Sequence, residues 1–250
     1  MARSMVCIWL FVASYVAIHG VAQVMILFHK LMIPFIDIHT HHNQSPANVI
    51  AVKNLDFEAS PIGLSSFGVH PWQSVMINHD SNFIDNCMKE VEAKCMMPQV
   101  VMIGETGLDA YRGADIDLQK TLFLRHITLS EQLGKPLVIH CVKTAEEVLT
   151  IHKQQRPTQL WIIHGYRKNA QIARQFLRQG IALSFGLHYN VEAMQIAYKE
   201  NALWLETDDE DVTITDLYQE AAKVLAVSVE ELQLNIYQRA IQLSSLFRLE

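Results

Sequence analysis

The sequence predicts an α/β fold, a (β/α)8 barrel of the TIM type. Three observations carry that prediction. Short apolar or β-branched runs alternate with amphipathic stretches along most of the chain, the pattern of parallel strands joined by helices. At 250 residues, with 50% hydrophobic and 18% charged residues, the chain can bury one large core, and α/β barrels of this length form single domains. Most of the apolar runs end in a histidine or a carboxylate, and the carboxyl ends of barrel strands are where sites are assembled.

The first 32 residues precede the alternation. Residues 5–27 are apolar enough for a membrane-spanning helix, with Arg3 before them and Lys30 after. Three readings compete: a signal peptide cleaved at the small-x-small pattern Gly20-Val-Ala22, an anchor weakened by His19, Gly20 and Gln23, or an extension ahead of a natural start at Met32. We adopt the third and place the barrel domain at residues 33–250. Strands are expected at residues 34–38, 66–69, 100–103, 136–139, 160–163, 181–185 and 202–205, with an eighth poorly marked. That number fits a barrel better than a doubly wound sheet, which needs fewer strands. Residues 118–133 and 169–178 carry apolar side chains at helical spacing, and Gly134 and Gly180 sit where helix-terminating glycines belong. Residues 214–225 and 228–246 read as two closing helices, the second opened by Ser228-Val-Glu-Glu231 with capping-box spacing. No internal repeat, low-complexity linker or glycine-rich phosphate loop interrupts the run, so one domain is expected.

A formal net charge of -6 argues against a general electrostatic grip on nucleic acid, which needs a basic face. Any phosphate must be met locally. Cys7, Cys87, Cys95 and Cys141 lack C-x-x-C spacing and stand among apolar residues. They read as free thiols in a reducing, cytoplasmic compartment rather than a disulfide or zinc-thiolate framework. Twelve histidines are the unusual feature, because imidazole is the commonest metal ligand.

His39 and His41 follow Ile36-Asp-Ile, His70 follows Phe67-Gly-Val, Glu105 follows Met102-Ile-Gly and His140 follows Leu137-Val-Ile. His164 follows Trp161-Ile-Ile, and Glu206 and Asp208 follow Leu203-Trp-Leu. A single strand-end histidine is more often a hydrogen-bonded rim residue than a ligand. Here the strand ends coincide, and His39 and His41, two apart on an extended strand, face one side. Six candidate ligands exceed one tetrahedral site and suit two divalent ions, zinc, manganese or magnesium, bridged by a carboxylate. The assignment is His39, His41, Glu105 and Asp208 on one ion, with Glu105, His140 and His164 on the other. Asp208 is also the candidate general base to the attacking water, since an aspartate beside a cation stays ionised.

At these residues the sequence resembles the TatD-like metal-dependent hydrolases. Phe35-Ile-Asp-Ile-His-Thr-His41 looks like the family's first motif, Phe67-Gly-Val-His-Pro71 its second and Ile103-Gly-Glu-Thr-Gly-Leu-Asp109 its third. Gln119 to Phe123, Leu133-Gly-Lys-Pro-Leu-Val-Ile-His140, Ile163-His-Gly-Tyr166, Leu183-Ser-Phe-Gly186 and Leu205-Glu-Thr-Asp208 follow in order. The resemblance implies a metallo-dependent hydrolase barrel acting on phosphodiester bonds, of DNA ends or of small phosphodiesters. Some relatives are similar to D-aminoacyl-tRNA deacylases, and a barrel that binds metal without turnover is the alternative from another class. No stable protein partner is inferred, and membrane association is expected only if the amino-terminal stretch is a real anchor. Departures are local: His42-Asn43 replaces Leu-Asp, Val142 replaces an arginine, and the acidic run Glu206-Thr-Asp-Asp-Glu-Asp211 lacks a proline after Asp208. Lys143 is either a substitute phosphate contact or a solvated helix-start residue. His70 is the favoured substrate-binding residue, ahead of Arg112, Tyr166, Arg167 and Lys168. Trp72, Trp161 and Trp204 read as core or rim packing.

Overall fold

Each apolar run is followed by a segment long enough to cross back over the sheet, so successive strands can pair in parallel. Eight do so in chain order: β1 (Phe35–Thr40), β2 (Val49–Asn54), β3 (Ser65–Phe67), β4 (Val100–Asp109), β5 (Leu137–Val142), β6 (Trp161–Ile163), β7 (Ala182–Phe185) and β8 (Leu203–Leu205). The computed structural model describes residues 33–77 and 80–248. Phe35–Glu250 forms one compact unit, and the readings offered for residues 1–32 lie outside the described residues. Among the described residues no helix is long and apolar enough to cross a membrane.

The poorly marked eighth strand is β2. It reads Val-Ile-Ala-Val-Lys-Asn, a short apolar run cut off by Lys53 and Asn54, and only Val52 is buried. β4 is the largest departure from expectation. It runs to Asp109 rather than ending near Ile103, is buried along its whole length, and shifts register against β5 between Ile103 and Thr106. Glu105 therefore stands inside a strand. Two glycines allow this: a Cβ on Gly104 would lie 2.3 Å from the Val138 carbonyl oxygen, and one on Gly107 would lie 2.2 Å from that of His140. Any other residue would force β4 away from β5.

Helices α1 (Ser81–Cys95), α2 (Ile116–Leu133), α3 (Ala145–Gln155), α4 (Ala170–Arg178) and α5 (Val191–Lys199) lie between strands in sequence, and α6 (Ile214–Leu225) and α7 (Val229–Leu243) follow β8, with 3-10 turns at Pro71–Met76 and Ser245–Phe247. Gly134 ends α2 in the left-handed region at φ 65°. Ser228 caps α7 by accepting from the Glu231 N–H at 3.1 Å. The expected last helix is shorter than 228–246, because extended Ser244 (φ -155°) breaks it before the final 3-10 turn. Strand and helix faces share one apolar core that includes Phe67, Phe123, Trp161, Phe176, Phe185 and Trp204.

The barrel closes at a narrow seam. β1 and β8 meet through the Thr40–Asp208 bridge, where the His41 N–H donates to the Asp208 carbonyl at 2.9 Å and the Asp208 N–H donates to that of His39 at 3.1 Å. Side chains brace it. Thr207 donates twice to buried Asp37, from N–H at 3.0 Å and from Oγ1 at 2.7 Å, and the Thr40 and Thr207 hydroxyls lie 2.8 Å apart. The unusual His42-Asn43 pair belongs to the same region. A His42 ring nitrogen lies 3.0 Å from the Glu210 carbonyl, and Asn43 accepts from the Lys53 ammonium.

Candidate metal centre

Alternation along β1 puts Asp37, His39 and His41 on one side of the chain, and along β4 it puts Glu105 and Asp109 together. Glu105 becomes the centre of the site. Its Oε2 lies 3.4 Å from His39 Nε2 and 4.0 Å from His41 Nε2, and these rings stand 3.7 and 3.5 Å from Asp208 Oδ1. Its Oε1 lies 2.8 Å from His140 Nδ1 and 2.6 Å from His164 Nε2. His70 Nε2 stands 2.9 Å from the same oxygen. One carboxylate thus faces two groups of donors with its two oxygens.

Hydrogen bonds determine which ring nitrogens are available. Asp109 Oδ2 lies 3.0 Å from His140 Nε2 and Glu105 Oε1 lies 2.8 Å from its Nδ1, so an ion that replaced the Nδ1 proton would leave Nε2–H donating to Asp109. Glu206 Oε1 lies 3.4 Å from His164 Nδ1 and also accepts from the Gly165 N–H at 2.5 Å. With Nδ1 turned toward the Glu206 carboxylate without a hydrogen bond to it, His164 Nε2 faces inward, and it stands 3.4 Å from His140 Nδ1. The two imidazole nitrogens, 3.4 Å apart, have the roughly 3–4 Å spacing of donors about 2.0–2.1 Å from one ion, while their 2.6 and 2.8 Å approaches to Oε1 are hydrogen-bond distances that an ion would widen. His39 is fully buried, yet neither of its ring nitrogens has a hydrogen-bond partner, a loss that a coordinated ion would offset. His70 differs: its Nδ1 accepts from the Trp72 N–H at 3.0 Å, so the neutral ring carries its proton on Nε2 and donates it to Glu105.

The electrostatics follow from burial and this crowding. Burial would raise the Glu105 carboxyl, but His164, His140 and His39 hold it well below the usual carboxylate range. Burial would lower His164, whereas Glu105 and Glu206 hold it well above the usual imidazole range. Burial pushes Asp208 up, although His164 and His39 pull against it. Buried Asp37 is pushed up to about 7, with the Thr207 hydrogen bonds opposing. A divalent ion would take the place of the proton that His164 otherwise retains. The donor set fits such ions, and clusters able to hold one include His39/His41/Asp208, His39/Glu105/His164, His70/Glu105/His140 and His164/Glu206/Asp208.

The site opens into a cleft of about 1410 Å³ lined by His41, His70, Trp72, Glu105, Lys143 and Asp208 among others. Lys143 is exposed on its wall, in the left-handed region at φ 57°. Arg167 also lines it. Tyr166 does not serve as a substrate contact: it is buried against Phe176 and Phe185, and its hydroxyl donates to the Asn169 carbonyl at 2.7 Å. Lys168 donates to the Cys141 carbonyl at 2.6 Å, which holds its ammonium on the backbone. Trp161 and Trp204 are buried as packing residues, but Trp72 is 44% exposed and lines the cleft. Sequence reasoning missed Asp109. Its signal was the even spacing from Glu105 on an extended strand, hidden because β4 was expected to end sooner.

Comparison with known proteins places this geometry. The family model described as TatD related DNase matches residues 39–233. Among curated relatives, the Bacillus subtilis protein named uncharacterized metal-dependent hydrolase YabD is 32% identical over 125 residues, 49% of this chain and 46% of that protein. The Escherichia coli protein named uncharacterized metal-dependent hydrolase YcfH is 25% identical over 188 residues, 67% of this chain and 68% of that protein. The first relatives are matched over only 34% to 46% of their own length. The solved structure of YjjV, a TatD homolog from Escherichia coli, superposes with a TM-score of 0.70 at 17% identity, covering 86% of this chain and 99% of that one. A TatD family hydrolase from Entamoeba histolytica gives 0.67 at 16%, over 84% and 97%. These structural likenesses are of fold, and with the family match they lead to one conclusion: the chain belongs to the TatD related DNase family.

Proposed function

We propose that the protein is a divalent-metal-dependent hydrolase of ester bonds, acting on phosphodiester bonds at DNA ends or in small phosphodiesters. The observation that carries this reading is the division of Glu105 between two donor groups, His39 and His41 on Oε2, with Asp208 beside those two rings, and His140 and His164 on Oε1. Two divalent ions held there would polarise the ester and make water a stronger nucleophile at neutral pH. Imidazole-rich donors favour zinc or manganese over magnesium.

The chain's own groups supply the rest. Asp208 is 23% exposed toward the cleft and takes the proton of the attacking water. His70 presents its Nε2 proton beside Glu105, where it can donate to a substrate oxygen. Lys143 meets the negative charge of the phosphate from the cleft wall. Asp56, Glu146, Glu147 and Asp209 line the same cleft and repel a long polyanion, which favours ends and short substrates over continuous duplex.

The test is metal analysis of the purified protein, with hydrolysis of DNA oligonucleotides, small phosphodiesters and D-aminoacyl-tRNA. Glu105→Ala and Asp208→Ala should each abolish metal-dependent nucleotide release. Cleavage of D-aminoacyl-tRNA while DNA survives would make the enzyme a deacylase. A protein inert under every metal would leave a non-catalytic metal-binding barrel.

A further inference from the structure

We propose that Trp72 and Arg112 form a nucleotide-positioning lip, on which a nucleobase stacks beside the scissile ester while the guanidinium meets an adjacent phosphate. The inference rests on the phosphodiesterase reading above. Trp72 follows His70 by two residues in the 3-10 turn Pro71–Met76, and its ring lies 4.9 Å from that of His70 and 5.8 Å from that of His140. It is therefore within one nucleotide's reach of the metal donors.

Exposed aromatic surface is ordinarily mobile. This indole is fixed in advance: its Nε1–H donates to Asp109 Oδ2 at 2.7 Å, and its backbone N–H donates to His70 Nδ1 at 3.0 Å. A ligand stacking on it loses little to ordering the side chain. The Arg112 guanidinium lies 4.4 Å from the centre of the ring, and its backbone N–H is held by Asp109 Oδ1 at 3.1 Å. Among the described residues no carboxylate pairs with that guanidinium. A planar cation over a half-exposed indole at the edge of a cleft that also carries Lys143 and Arg167 has the chemistry of a nucleotide site, the ring for a base and the fork of N–H donors for a phosphate.

Trp72 also braces Asp109, which braces His140, so its loss could act through a metal donor rather than through stacking. The two routes are separable, because Trp72→Phe keeps a ring and removes the N–H. Calorimetric binding of thymidine 5′-monophosphate, thymidine and deoxyribose 5-phosphate to the full-length, metal-loaded protein tests the lip directly. Trp72→Ala should weaken thymidine and its monophosphate about tenfold and leave deoxyribose 5-phosphate unchanged. Trp72→Phe should retain most of the affinity at unchanged metal content. Arg112→Ala should weaken both phosphates severalfold and spare thymidine, and this variant decides the matter even if Trp72→Ala does not fold. Equal binding of the monophosphate by wild type and Arg112→Ala, or equal losses in Trp72→Phe and Trp72→Ala, would overturn the lip. If the binding pattern holds but no phosphodiester is cleaved, the lip stands and the reaction assigned to the metal centre falls.

Discussion

His70 and His126 show how hydrogen bonding divides labour among histidines. His70 spends Nδ1 on the Trp72 N–H and offers its Nε2 proton to Glu105, so it is a donor beside the ligands. His70→Ala should lower hydrolysis about 100-fold while bound metal, measured by elemental analysis, stays at the wild-type level. His126 carried no role from its sequence position. It is fully buried on α2, donates from Nδ1 to the Leu122 carbonyl at 2.7 Å and accepts at Nε2 from the Val69 N–H at 3.0 Å. Only the neutral ring satisfies both bonds, and burial pushes its pKa down to about 4 from 6.5. Between those values the unfolded chain binds the extra proton. The stability present above pH 6.5 is therefore lost as pH falls toward 4, by about 2 kcal/mol between pH 7 and pH 5. Urea unfolding of wild type and His126→Gln at both pH values checks this. Equal pH slopes would remove His126 as the cause.

At the scale of elements, β4 and β5 set the geometry of the site. Gly107 has φ 137° and approaches the His140 backbone so closely that a Cβ would meet its carbonyl oxygen. Gly107→Ala should destabilise by about 1–3 kcal/mol and displace His140, seen as a lower urea midpoint together with weaker metal binding. The same strands show what was legible beforehand. Apolar runs located seven strands, and polar residues at or just beyond the ends of five of them brought His39, His41, Glu105, His140, His164 and Asp208 to one end of the barrel. Period-two spacing was enough for that. β2 was obscure because Lys53 and Asn54 interrupt its pattern, and the reach of β4 was obscure because its glycines look like a strand ending when they permit close packing against β5. The contact between Asp109 and Trp72, which reads from sequence as a packing residue, went unseen for a related reason: it joins residues 37 apart, which no local pattern encodes.

For the whole molecule, the apolar core and the donor cluster are separable sources of stability. The core is continuous without the site residues, so chelation should leave the barrel folded while lowering its melting temperature by roughly 10 °C, the shift expected when ions present at about 1,000 times their dissociation constant are withdrawn. Calorimetry with and without chelator would show it, and an unchanged transition would mean that the ions contribute nothing to the fold. The seam adds an order of events. Asp208 is the partner across which β1 meets β8, and it is also the carboxylate nearest His41. A nascent chain that has reached α5 already holds five of the six donors, but not the one that stitches the last strand to the first. High-affinity metal uptake that needs Asp208 would then mark the completed barrel, and an intermediate that stops short of β8 would lack it.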